Sequence, residues 1–489
     1  MALGRRELLK LGLLSALAPY APGAPGTPRA FAQTAGDRTD YTIRIAAGLV
    51  ELGPGHIIST TLYNGQFPGP LLRFTEGTAV TVEIHNDTDT PEQLHWHGQS
   101  VPPDVDGAAE VGTPFIPAHG SRRISFTPGP AGFRFYHSHV RAGADLSKGQ
   151  YGGLVGPVYI EPKHHAGDYD REVFLVLKEF QPGLSRGGDM PMNVLGPAAK
   201  VKALEDAGDS AMKASLASGK AHGFEVGYSL FSINGRLAGH GEPIRVRHGQ
   251  RILFHVLNGS ATEIRSLALA GHTFRVVGLD GNPVPAPVRV PVLWIGTGER
   301  VSAVVEMATP GVWMLGDTAD DDRRHGMGIV VEYAGHKGKP VWLAPKPFRW
   351  DYTRFGSTQA PAAPDETIDL TFAKDNAAAD GFNVWTINGR SFSMDDPAPI
   401  GRLQRGRRYR LRMRNASDDI HPIHLHRHSF ELTKVAGKPT SGVLKDVVML
   451  GGYQQLELDF VANNPGLTLF HCHQQLHMDF GFMALFDYA

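Results

Sequence analysis

Four histidine pairs and one cysteine carry most of the chemistry this sequence can support. His95 and His97 flank Trp96, and His137 and His139 flank Ser138. His424 and His426 flank Leu425, just after His421, and His471 and His473 flank the single cysteine, Cys472. His477 lies five residues beyond that cysteine. Successive side chains of a strand point to opposite faces, so each His-x-His pair projects two imidazoles from one face. Four converging pairs supply eight nitrogens, too many for one metal ion and suited to a cluster of three. Cys472 points to the other face, where it can join His421 and His477. Two imidazoles and a thiolate in a trigonal arrangement form the ligand set of a blue-copper electron-transfer centre. One His-x-His pair in a strand is ordinarily chance or surface polarity. Four pairs in one chain, with its only cysteine inside one of them, point to metal.

The composition narrows the function classes. Lys and Arg number 48 against 49 Asp and Glu, a net charge of −1, which argues against the basic face of a nucleic-acid binder. No apolar run reaches the length of a membrane-spanning helix. A single cysteine excludes an intrachain disulfide and every zinc site that needs several thiolates. Gly (58) and Pro (35) together are well above the average share of about 12%, which favours many strands joined by tight turns.

The elements that must hold the histidines recur three times. Asn64-Gly65, Asn234-Gly235 and Asn388-Gly389 each open a similar run of turn, strand, Gly and a strand closing on Asn, namely Asn86, Asn258 and Asn415. His272 with Phe274 echoes His428 with Phe430, and the segments 135–139, 314–318 and 470–473 hold equivalent places near the unit ends. Short, alternating, turn-bounded strands predict an all-β chain of three consecutive Greek-key β-sandwiches, at 41–163, 170–335 and 365–489. Residues about 197–218 read as a helical or flexible excursion in the second unit, and 336–364, with five prolines, as a linker.

The N-terminus reads as an export signal over 1–32. Arg5 and Arg6 precede Leu8-Leu9-Lys10, a short apolar run and the small-x-small Ala30-Phe31-Ala32. The paired arginines resemble a twin-arginine signal, which predicts recognition by that export machinery, a mature chain near Gln33 without a membrane span, and a periplasmic or secreted location.

The four clusters resemble the signatures HxHG, HxH, HPxHLH and HCHxxxH of the multicopper oxidases, the family of laccases, cuprous oxidases and bilirubin oxidases. The similarity spans nearly the whole mature chain. It implies three cupredoxin domains and four copper ions, with a trinuclear site between the first and third domains. By motif position, His421, Cys472 and His477 would bind the type 1 copper, and His95 and His424 the type 2 copper. His97, His137, His139, His426, His471 and His473 would bind the type 3 pair. The family's axial position falls on Phe482, which cannot coordinate, so the resemblance implies a three-coordinate type 1 copper of comparatively high potential. Met478 and Met483 flank that position and read as strand packing. Asp106 matches the family's proton-relay acid, with a turn-forming Asp-Gly as the other reading. Some members carry a second acid directly after the last type 1 histidine; here that residue is Met478.

The resemblance implies O2 as acceptor and a small reductant that yields electrons near the type 1 copper, at an exposed edge of His421 or His477. Asp418 and Asp419 either accept a phenol proton or hold a metal ion there, or are solvated loop acids. Asp446 resembles a family motif near the same pocket, a structural hydrogen bond being the other reading. The third unit lacks a Met-rich insertion, and Met190 and Met192 form only a small pair in the second. Thioethers favour Cu(I), so oxidation of phenols or aromatic amines is preferred over that of cuprous or ferrous ions. A structural, non-enzymatic exported protein is the remote alternative, disfavoured by the complete ligand set.

Overall fold

Each of the three Asn-Gly pairs forms a tight turn closed by a single antiparallel bridge, Tyr63 to Gln66, Ile233 to Arg236 and Ile387 to Arg390, and both residues take positive φ: 51° and 68° at Asn64-Gly65, 53° and 71° at Asn234-Gly235, 51° and 77° at Asn388-Gly389. Asn tolerates this left-handed backbone and Gly adopts it freely, the chemistry of a type I′ turn. The three asparagine side chains also do one job. Their Nδ2 groups donate to the carbonyls of Thr42, Phe174 and Asp369, and their Oδ1 atoms accept from the amides of Arg44, Val176 and Thr371. The closing asparagines match as well. Asn86 donates to the carbonyls of Thr90 and Ile116, Asn258 to Glu263 and Ile295, and Asn415 to Asp419 and Gly451.

This computed structural model describes residues 38–163, 167–185 and 223–489. The signal expected at 1–32, the excursion expected at about 197–218, and Met190 and Met192 lie outside the described residues. Within 39–489, three pairs of sheets follow one another. The second pair comprises sheets of six and five strands, and the third repeats the same strand order strand for strand. The first pair has four strands in each sheet; it keeps the same order but lacks the counterpart of the hairpin Phe430–Lys445 and of strand Val447–Leu450. Each module opens on a long strand, Tyr41–Gly53, Arg171–Ser185 and Glu366–Ala379, of 13, 15 and 14 residues, longer than the short strands the sequence suggests. Among the described residues no helix is long and apolar enough to cross a membrane.

The segment 336–364 is tied down at both ends of its course. Val341 exchanges backbone hydrogen bonds with the strand Val312–Asp317. Trp350, Tyr352 and Phe355 are buried around a helical turn, Tyr352–Phe355, capped by Asp351 accepting from the Thr353 amide. The Tyr352 hydroxyl donates to Glu299 of the second module at 2.6 Å, and the Met449 amide of the third module lies 3.3 Å from that hydroxyl.

Candidate metal centre

The first and third modules each contribute two adjacent strands bearing His-x-His. In the first, His95 of strand His95–His97 sits opposite His137 of Gly132–His137; in the third, His424 of His421–Leu425 sits opposite His471 of Thr468–Cys472. Period-two alternation turns all eight imidazoles into the space between the modules, where every one is buried. His97 stacks on His424 with ring centroids 3.9 Å apart, and His95 lies 4.0 Å from His426. Four overlapping groups have the spacing to hold an ion: His97, His137 and His473; His139, His426 and His471; His95 with His97 and His424; and His95 with Asp106 and His426.

In six of the eight rings the hydrogen bonds show which nitrogen is free for metal. A ring nitrogen facing a carbonyl or carboxylate oxygen must carry the proton, which leaves the other as a bare lone pair. Nδ1 donates to a backbone carbonyl in His95 (to Asp106), His137 (Ser138), His424 (Asp446) and His471 (Cys472), at 2.7–2.8 Å. In His426 it donates to the Asp106 carboxylate at 2.8 Å. The opposite Nε2 atoms of His95, His137, His139 and His424 are buried without any hydrogen-bond partner. An unsatisfied buried polar atom costs about 1–3 kcal/mol, so four in one cavity need an acceptor of lone pairs, which a metal ion is. Burial holds nearly all these imidazoles well below the ordinary histidine range, with His471 pushed down to about 3, so they stand neutral, as ligands must. His139 is the exception: burial opposes its charge, but Glu110, 3.6 Å away, raises it.

On the other face of the strand, Cys472 Sγ lies 3.6 Å from His421 Nδ1 and 3.5 Å from His477 Nδ1, and those two nitrogens are 3.1 Å apart. Three soft or borderline donors thus meet at one point. His421 is oriented by Ser417, whose Oγ lies 2.9 Å from Nε2. Burial pushes the Cys472 thiol well above its usual range, so a thiolate there requires a metal to stabilise it. Phe482 is fully buried, with its ring 4.6 Å from that of His421. Met478 and Met483 pack with Ala108, Val111, Leu469 and Leu485.

Known proteins resemble this chain in sequence and fold. Three sequence signatures, each described as multicopper oxidase, match residues 49–165, 205–331 and 361–489. Multicopper oxidase MmcO of Mycobacterium tuberculosis is 31% identical over 450 residues, covering 90% of this chain and 85% of that protein. The chain belongs to the multicopper oxidase family. Among solved structures, the multi-copper oxidase from Pseudomonas thermotolerans superposes with a TM-score of 0.67 at 25% identity, over 92% of this chain and all of the other. Fet3p, described as a multicopper oxidase that functions in iron import, gives a TM-score of 0.72 at 17% identity, over 92% and 90%. The fold is therefore three cupredoxin domains in a row, as the sequence implies. This multicopper oxidase is a copper-dependent oxidoreductase that uses O2 and a reductant, which sets aside the non-enzymatic alternative. Copper is its metal, and the histidine clusters are the places that can hold it.

Asp106 ends a short helix, Pro103–Asp106, before Gly107, so it is both turn residue and part of the site. Its Oδ2 accepts from His426 and its carbonyl from His95, and burial pushes its carboxyl up to about 7 against the pull of Arg427. Asp446 is not near the Cys472 pocket, as its motif suggests; it sits on the opposite side of the strand, 3.1 Å from His97 Nε2. Neither His421 nor His477 presents an exposed edge, because both are buried and Trp385 stacks on His477 at 4.0 Å. Asp418 and Asp419 are engaged by Lys374 Nζ, at 2.6 and 3.1 Å, and Asp419 lies 3.3 Å from the Trp385 indole nitrogen.

Several residues escape sequence reasoning. Glu110 beside His139, Trp385 over His477, and Arg134, Arg300 and Asp280 around Asp446 are brought in by packing between elements distant in sequence. Glu225 joins the Asp418 and Asp419 side, its carboxyl pushed up to about 8 by burial and by Asp419. Gly98, directly after His97, has a readable signal: its φ is 75°, and a Cβ there would fall 2.6 Å from Asp446 Oδ2.

Proposed function

We propose that this multicopper oxidase is laccase-like, taking electrons one at a time from phenols or aromatic amines beside Trp385 and delivering them to O2 between the first and third modules. The observation that carries the reading is the pair of donor sets on opposite faces of strand Thr468–Cys472, joined by the backbone of Cys472. His421, Cys472 and His477 would hold type 1 copper, with Phe482 as the non-coordinating axial neighbour. His95 and His424 would hold type 2 copper. Of the type 3 pair, one ion falls to His97, His137 and His473 and the other to His139, His426 and His471. Bound copper supplies one-electron transfer at the first site and, at the second, reduction of O2 to two waters with four electrons and four protons. The chain's own residues orient those donors, exclude water through complete burial, and hold a proton at the Asp106 carboxylate between His95 and His426.

The organic-reductant reading is supported by the state of the nearby acids. Lys374 pairs with both Asp418 and Asp419, and among the described residues no acid group with metal-ligand spacing lies beside Trp385. A cuprous or ferrous reductant is the second reading, favoured by the presence of Glu225, Asp418 and Asp419 on one side of the site. Oxygen uptake with phenols, aromatic amines, Cu(I) and Fe(II) decides between them. A kcat/KM at least about tenfold higher for the metal ions, lost on Asp419→Ala, would overturn the first. Export by the twin-arginine route to the periplasm is part of the same proposal, motivated by Arg5 and Arg6. Mass spectrometry of the protein recovered from its native host checks it: an N-terminus near Gln33 is expected, and an intact Met1 would refute it.

A further inference from the structure

Seven of the eight imidazoles in the large cluster turn Nε2 inward; His97 does not. Its Nε2 points away, 3.1 Å from Asp446 Oδ1, and its Nδ1 points in, 3.3 Å from His473 Nε2. The cause is Asp446. Its Oδ1 accepts from Arg300 Nη1 and its Oδ2 from Arg300 Nη2, both at 2.6 Å, a two-pronged pairing that fixes the carboxylate in plane and in rotation. Arg134 Nη1 adds a contact to Oδ2 at 3.2 Å. A carboxylate locked in this two-pronged pairing turns acceptor oxygens to its neighbours, which obliges His97 to carry its proton on Nε2.

The three modules meet at this carboxylate. Arg134 and His97 come from the first, Asp446 from the third and Arg300 from the second, on strand Arg300–Glu306. Arg300 is held in turn by the Gly298 carbonyl at 2.8 Å, and its amide donates to Asp280 Oδ1 at 2.9 Å. Asp280 also receives the amides of Asp446 and Val447 and pairs with Lys445 Nζ at 2.9 Å. The backbone around the pair is cut to fit. Gly98 leaves room for the carboxylate and guanidinium, and a Cβ on Gly298 would fall 2.8 Å from His473 Nε2. The Asp446 carbonyl orients a second imidazole by accepting from His424 Nδ1 at 2.7 Å.

We propose that Arg300 and Asp446 form a positioning clamp through which the second module, which carries no ligand in the ligand assignment proposed above, sets the donor atom that His97 offers to the cluster. The inference rests on that assignment. Removing an outer partner of a metal-ligating histidine ordinarily lowers metal affinity or activity by about 10–100-fold. Asp446→Asn keeps the shape but leaves one acceptor oxygen for both guanidinium and imidazole. Arg300→Lys keeps the charge but not the planar fork. The experiment loads the full mature chain with copper and measures copper per chain, the blue type 1 absorption, oxygen uptake, and the thermal midpoint of the copper-free form.

For Asp446→Asn the clamp requires loss of one or more ions from the large cluster and an oxygen-uptake rate lower by about 10–100-fold, with the blue absorption retained. Arg300→Lys should fall between that variant and the parent, with a copper-free thermal midpoint near the parent's. Parent-like copper content and turnover in both variants would overturn the clamp. So would loss of blue absorption in proportion to cluster copper, the mark of general unfolding. A parent chain that binds copper only at Cys472 would instead sink the ligand assignment on which the clamp depends.

Discussion

Arg265 in the second module and His421 in the third occupy the same place in the same sheet. Leu267 pairs with Asp317 as Ile423 pairs with Cys472, so Asp317 stands where the cysteine does. Asp322, on the short helix Asp320–Arg324, corresponds to His477 on Gln475–Asp479. The second module thus fills the copper corner with an ion pair, Arg265 to Asp322 at 2.5 Å, under the ring of Phe231 at 4.6 Å. The third fills it with a thiol and two imidazoles under Trp385. The first module fills it a third way: Ser138, opposite Leu94, donates to Glu92 at 3.0 Å. On the inward face Ala268, Ala270, Gly316 and Thr318 stand where His424, His426, His471 and His473 do. One scaffold delivers three side chains to the same buried corner, and their chemistry decides the outcome. Opposite charges satisfy each other there, whereas neutral imidazoles and a buried thiol call for a metal.

The comparison breaks most visibly at Cys472. Cys472→Ser should abolish the blue colour and phenol oxidation, while the copper-free thermal midpoint moves by no more than about 2–4 °C, the shift for roughly 1 kcal/mol. A variant that oxidises phenols at the parental rate would show that electrons do not pass through this corner. Next in size, Asp106→Ala removes the acceptor for His426. Oxygen uptake should fall by about 10–100-fold with the blue absorption unchanged, and equal loss of both signals would count against an orienting role.

Arg265→Met tests the other side of the comparison. It leaves Asp322 without its cation and Glu179 with Lys178 alone, and breaking a buried pair costs about 3–5 kcal/mol. Urea unfolding should register that loss, while colour per folded molecule stays at the parental value; a lost colour would mean the second corner does more than hold the fold. The smallest effect is expected at Phe482→Met. Adding an axial donor where Phe offers none should stabilise Cu(II) relative to the three-coordinate site and so lower the type 1 potential, and an unchanged potential in a redox titration would show that position 482 is not axial.

The two donor sets were legible because their information is local. A strand's period of two assigns His471, Cys472 and His473 to faces without any knowledge of the third dimension. The repeat was legible because Asn-Gly is bound to one backbone geometry, realised at 64, 234 and 388 alike. What stayed hidden depends on docking. Asp446 reaches His97 across 349 positions and Arg300 across 146, and no local pattern marks residues that meet only when modules pack. The expected exposed edge of His477 failed for the same reason: Trp385 comes from a hairpin far upstream. The acids at 418 and 419 were visible, but their partner Lys374 lies on the module's first strand, so their ion pairing was not.

Metal analysis of copper-loaded parent and Cys472→Ser protein, read beside their absorption spectra, tests the two-faced strand most directly. The expected result is four copper ions per chain in a blue parent and three in a colourless variant. A parent holding a single ion, or a variant that keeps both its fourth ion and its colour, would contradict it.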